Sequence, residues 1–89
     1  MRHFDPHSLA LFVAVCDHGS IAAAAEQMAI VPSAISKRMT ALEQQAGVRL
    51  LIRRKRGIMV TPAGEVMLRA ARETLSSLER LQAELSEFS

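Results

Sequence analysis

Residues 20 to 47, SIAAAAEQMAIVPSAISKRMTALEQQAG, divide into two amphipathic segments joined by a few residues, and each segment has its own start and stop chemistry. In the first, Ile21, Ala24, Ala25 and Met28 fall at i, i+3, i+4 and i+7, one stripe of a helical period. Half of that stripe is alanine, which has the highest helix propensity and lets a second helix come close. In the second, Ile35, Met39, Leu42 and Ala46 share a face, and a rotation of about 100° per residue puts Ser33, Lys37, Thr40 and Gln44 opposite them. Two short helices with a tight turn, the second polar and basic outside, form the pattern of a helix-turn-helix. An outward serine, lysine and threonine within two turns suit phosphate oxygens and the N7 and O6 acceptors of a major groove. The plainer alternative is a core helix with a solvated polar face.

The flanking residues punctuate the rest of the chain. Asp5 and Pro6 read as an N-cap and first helical position, and Gly19 as the residue after the helix, which brackets a first helix over about 6 to 18. Ser20 caps the next helix. After a turn at Ala29 to Val31, Pro32 opens a helix over about 32 to 46 that Gly47 closes, with Val31 a poor cap. The apolar run VRLLI from Val48 to Ile52, the turn RRKRG and the run IMV predict two short strands, with Gly57 taking a positive φ. Thr61 and Pro62 then start a long helix from 62 to about 87. The expected fold is mainly α: a winged helix-turn-helix over 1–61, with three helices and a β-hairpin wing, followed by a linker helix over 62–89.

Charge supports a polyanionic partner for the first part. Residues 1 to 64 carry Arg2, Lys37, Arg38, Arg49, Arg53, Arg54, Lys55 and Arg56 against four acids, net +4, and residues 65 to 89 are net −2. The modest total of +2 therefore hides a basic N-terminal part. Behind a helix-turn-helix, the hairpin tip Arg53, Arg54, Lys55, Arg56 has the character of a wing that reaches a phosphate backbone or narrow minor groove. Read alone, it is a solvated basic turn.

With 89 residues the chain makes one small domain with little room for a substrate cavity. The lone Cys16 permits no internal disulfide, fits a reducing cytoplasm, and follows Leu9, Phe12 and Val13 on one stripe, so it is expected in the core. The run Leu9 to Cys16 is too short to span a bilayer, and Asp5 and Asp17 flank it where a signal peptide would differ. A metal or enzyme site on His3, His7, His18 and Cys16 lacks a tetrahedral ligand spacing. No cofactor, membrane or small-molecule ligand is expected.

The last helix has a different pattern. Met67, Ala71, Thr74, Leu78, Leu81 and Leu85 are spaced 4, 3, 4, 3, 4, as in a coiled-coil seam. At about 1.5 Å per residue such a helix outruns a small core. Pairing with a second copy would bury the seam and set two recognition helices apart for a two-fold symmetric operator. Two alternatives stand beside this: the helix folds back on its own domain, or it makes the chain a protein-interaction module without specific DNA binding.

Taken together, LFVAVCDHGSIAAAAEQM, SAISKRMTALEQQAGVRLL and RGIMVTPAG resemble the N-terminal DNA-binding domain of the LysR-type transcriptional regulators, from Leu9 to about Leu81. The resemblance implies a winged helix-turn-helix, an antiparallel dimer through the linker helix, and a tetramer as one option in the full-length protein. It also implies a C-terminal effector-binding domain that is absent from this chain, so an excised domain is expected. By resemblance, Ser33, Ser36 and Lys37 match recognition-helix positions that meet bases and phosphates, and Arg56 matches the wing arginine of the minor groove. Arg53 and Thr61 match further positions of the wing and the linker-helix cap; Arg38, Thr40, Arg54 and Lys55 complete the expected DNA contacts. Two departures stand out. Many members have Ser or Thr then Gln where this chain has Val31 and Pro32, and Pro32 has no side-chain donor for the usual base contact. Ile52 stands where the family commonly has an acid.

Overall fold

Side chains just outside the helices decide where they begin. In the computed structural model, which describes residues 3–89, Asp5 accepts a hydrogen bond from the His7 amide (3.3 Å), Ser20 from Ala23 (3.0 Å) and Thr61 from Gly64 (2.9 Å). These caps open α1 (Pro6–His18), α2 (Ile21–Met28) and α4 (Pro62–Ser86). The remaining helix, α3 (Pro32–Ala46), starts at Val31 with no side-chain cap. Gly19 and Gly47, both at φ 74°, close α1 and α3. Arg2, counted above in the basic part, lies outside the described residues.

The core is the meeting point of all four helices and the hairpin: Leu9, Leu11, Phe12 and Val15 of α1, Ala24 and Ala25 of α2, Ile35, Met39 and Leu42 of α3, Leu50, Leu51, and Ala71 of α4. Of the expected faces, Ala24 and Ala25 of α2 and Ile35, Met39 and Leu42 of α3 are buried, and Ile21, Met28 and Ala46 are partly buried against the core. In α1 the stripe differs: Leu11 and Val15 are buried, whereas Val13 and Cys16 are only partly covered. The reason is that α1 is the central element, in contact with α2, α3, α4 and the second strand, so burial extends beyond a single stripe.

The strands lie nearer the hairpin tip than the apolar runs suggest, and the turn is shorter. Strand β1 (Leu51–Arg54) pairs antiparallel with β2 (Gly57–Val60), Leu51 opposite Val60 and Arg54 opposite Gly57, leaving only Lys55 and Arg56 in the turn. Val48 and Arg49 do not join the strand, and Arg53 and Arg54 belong to it. The cause lies in α3, where Glu43 Oε2 accepts the Leu50 and Leu51 amides at 2.8 and 3.1 Å and so holds the chain short of the ladder.

Helix α4 divides into two halves. Near its start Gly64 packs against the hairpin entry so closely that a Cβ there would lie 2.2 Å from the Leu50 carbonyl oxygen. Ala71 is buried, Met67 and Leu68 are partly buried, and Arg72 clasps Asp17 of α1 at 2.6 Å. Met67 and Ala71, read as part of a coiled-coil seam, therefore pack on their own domain. Beyond them Thr74, Leu78, Leu81 and Leu85 are exposed, and the helix extends the molecule to 49 Å.

Candidate nucleic-acid interface

Burial of Ile35, Met39 and Leu42 turns Ser33, Lys37, Thr40 and Gln44 to the outside of α3. Their partners differ in a way the sequence does not show. Thr40 donates its hydroxyl back to the Ser36 carbonyl (3.1 Å), and Ser36, half-buried, accepts a hydrogen bond from the Arg53 guanidinium through its own hydroxyl. Arg53 thus joins β1 to the middle of α3. Arg38 is held at the other edge by Asp5 (3.0 Å) and Ser8 (3.3 Å) at the start of α1.

Among the described residues, Lys37, Arg54, Lys55 and Arg56 have no hydrogen-bond or ion-pair partner, whereas Arg38, Arg49, Arg53 and Arg72 are all engaged. An anion can meet the first group without breaking a bond within the protein. Lys37 projects from the outer face of α3 and the other three from the hairpin end, two neighbouring prominences of one frame; Arg69 of α4, also without a partner among the described residues, lies outside both prominences.

Three contacts fix these prominences relative to each other. Arg53 to Ser36 is one, and Glu43 to Leu50 and Leu51 is the second. The third runs to the α1–α2 junction: the Ile58 amide donates to the Gly19 carbonyl at 3.1 Å. Gly57, at φ 107°, permits that approach, because a Cβ there would lie 2.4 Å from the Gly19 oxygen. The Glu43 carboxyl is held below its usual pKa of 4.5: burial alone would raise it, but the Leu50 and Leu51 amides and Arg49 outweigh that. Sequence reasoning passed over Glu43, Asp17 and Gly64 as interface supports. Of these, Gly64, a helical position between Pro62 and Met67, carried the one available signal, a residue of poor propensity inside a long helix.

Cys16 and the histidines do not assemble. Burial, with Asp17 and Glu65 nearby, pushes the Cys16 thiol up to about 11, which keeps it protonated at neutral pH and a poor ligand or nucleophile. Among the described residues no three His, Cys, Asp or Glu side chains converge as metal ligands, and no helix is long and apolar enough to cross a membrane.

Comparison with known proteins gives a consistent picture. Residues 6–65 match the family of bacterial regulatory helix-turn-helix proteins, lysR family. The HTH-type transcriptional activator AllS of Klebsiella pneumoniae is 38% identical over 88 residues, covering 99% of this chain and 33% of that protein, so the chain spans about a third of this relative. Among solved structures, the DNA-binding domain of CbnR in complex with DNA superposes with a TM-score of 0.90 at 36% identity, covering 94% of this chain and 97% of the other. The BenM DNA-binding domain on catB site 1 DNA reaches 0.92 at 27% identity, with 96% of each chain covered.

Proposed function

The chain belongs to the LysR family of bacterial regulatory helix-turn-helix proteins, and from that premise we propose that it is the sequence-specific, double-stranded DNA-binding domain of a cytoplasmic transcription regulator and not an enzyme. Helix α3 enters the major groove and the hairpin turn lies at the adjacent minor groove. Lys37 is the principal donor to base edges, because a lysine ammonium reaches guanine N7 and O6. Ser33, Ser36 and Thr40 position it through phosphates or base edges. Arg54, Lys55 and Arg56 grip the minor groove and backbone, with Arg53 supporting Ser36 and Arg38 bracing α3 against α1.

The observation that carries this reading is the partition of the cations. The arginines that hold the fold together are paired, and the unpaired Lys37 and Arg54 to Arg56 stand together on α3 and the wing. The distal half of α4, with Thr74, Leu78, Leu81 and Leu85 exposed, supplies a homodimer seam; Met67 and Ala71 anchor its root. A dimer reads a site with dyad symmetry. A longer parent protein would add an effector-binding domain and the option of a tetramer.

Selection of bound sites from random duplex DNA, read by sequencing, tests this directly. The expected result is an enriched dyad with half-sites about one helical turn apart. Enrichment of no sequence, with the chain still forming dimers, would favour a protein-interaction module instead.

A further inference from the structure

Val31, the N-cap of α3, and Ala34 and Lys37 within the helix are all exposed, and Ala34 stands between the other two around the helix, about 60° from each. Val31 is 66% exposed, more than Val48, Val66 or Ile52. It also occupies a cap position without capping: Asp5, Ser20 and Thr61 each accept a backbone amide at the starts of the other helices, and Val31 has no group to do so. Its backbone is nevertheless fixed, because its carbonyl accepts the Ala34 amide at 3.0 Å and the Ile35 amide at 3.3 Å. The chain thus holds a methyl-bearing side chain in water at the N-terminal end of its outward-facing helix, one turn from Ala34 and two from Lys37.

Resting on the reading of α3 as a major-groove helix, we propose that Val31, with Ala34 one turn on, reads the 5-methyl group of a thymine at the N-terminal end of that helix. The first residues of such a helix are those that meet base edges. The major groove has one apolar group, the thymine C5 methyl, and its other recognition features are hydrogen-bond donors and acceptors that Val31 and Ala34 cannot pair with. Pro32 likewise brings no donor to this end of the helix. Specificity at the entry to α3 is therefore apolar, and hydrogen-bond readout begins with Ser33 and Lys37.

Deoxyuridine removes only the methyl group of thymine, which gives a clean test. A duplex selected from random DNA is bound by the 89-residue chain after each thymine in turn is replaced by deoxyuridine. One position per half-site is expected to lose about fourfold in affinity, the factor for removing one buried methyl-sized group. In Val31→Ser, which restores a capping side chain and so protects folding, the same replacement is expected to have no measurable effect. Uniform insensitivity to deoxyuridine in the parent chain, or equal sensitivity in parent and V31S, would overturn the inference while tight, salt-dependent binding of the selected duplex leaves the DNA-binding reading standing. A chain that selects no duplex at all overturns both.

Discussion

The Glu43 carboxylate of α3 lies 2.8 Å from the backbone nitrogen of Leu50, and this single acceptor joins the recognition helix to the root of the wing. The same oxygen takes the Leu51 amide at 3.1 Å and Arg49 Nε at 3.2 Å, so one side chain satisfies two amides that no strand partner reaches. Removing it leaves those donors poorly paired at a part-buried site. Glu43→Ala is therefore expected to cost about 1.5 to 3 kcal/mol, the range for hydrogen bonds to a charged group. Urea denaturation measures the loss, and faster exchange of the Leu50 and Leu51 amides locates it. A change under about 0.5 kcal/mol, the scatter of ordinary surface substitutions, would show that the strand root holds itself.

The same contact gives stability a direction with pH. Glu43 is held below its usual 4.5 in the folded chain, despite burial, by the amides and Arg49. Asp17 is likewise lowered from 3.8, first by its hydrogen bonds with Arg72, with burial opposing. Groups lowered by folding add stability that is complete above their unfolded pKa values and is lost as pH falls through the folded ones. Stability should thus be flat around neutrality and decline below about pH 4.5. In Glu43→Gln the decline should be shallower, and high salt should weaken the part due to the half-exposed Asp17–Arg72 pair more than the part due to Glu43. Denaturation midpoints from pH 3 to 7 in both proteins measure this; superimposable curves would assign the acid loss to other groups.

Gly64 sets helix propensity against close packing, and the magnitudes decide the sign. Alanine gains about 1 kcal/mol over glycine inside a helix. At this position its Cβ would lie 2.2 Å from the Leu50 carbonyl oxygen and 2.7 Å from Val60 Cγ1. A backbone oxygen at that range cannot turn aside as a side chain can. Gly64→Ala should destabilise by about 1 to 3 kcal/mol, the cost of overpacking, despite the propensity gain. A thermal melt suffices, and a raised Tm would mean that α4 shifts freely away from the hairpin.

Much of this architecture is legible in the chain because its signals are local. Asp5–Pro6, Ser20, Pro32, Gly47 and Thr61–Pro62 fix helix ends through contacts a few residues long, and the structure begins or ends a helix at each. What escaped depends on residues far apart. Arg38 looks like a free cation beside Lys37 until Asp5, 33 positions earlier, takes it. Arg72 and Asp17 are 55 apart, and the start of β1 depends on a glutamate in the preceding helix. The extra buried residues of α1 reflect packing from several sides, which no single-stripe pattern encodes. The turn expected at Ala29 to Val31 does follow α2, but its conformation was not legible: Ala29 is left-handed (φ 55°), which sequence reasoning reserves for glycine or asparagine.

Lys37 and Arg56 are equally charged and equally unpaired, and they should fail differently when removed. Lys37 projects from the outer face of α3, where a donor meets base edges, so Lys37→Ala is expected to cost about 1 to 3 kcal/mol on the selected site and much less on unrelated duplex DNA. Arg56 is in the two-residue turn of the wing, where charge meets phosphates and groove potential and not a defined base pattern. Arg56→Ala should weaken all sequences more evenly and lower the slope of log K against log salt by about one counterion. Fluorescence anisotropy on selected and scrambled duplexes over a salt series separates the two. Equal losses on both duplexes for Lys37→Ala would remove it from base readout, and an unchanged salt slope for Arg56→Ala would place that side chain in solvent. If both hold, affinity comes chiefly from the hairpin turn and discrimination from α3, and the Arg53–Ser36 hydrogen bond keeps those two surfaces in register.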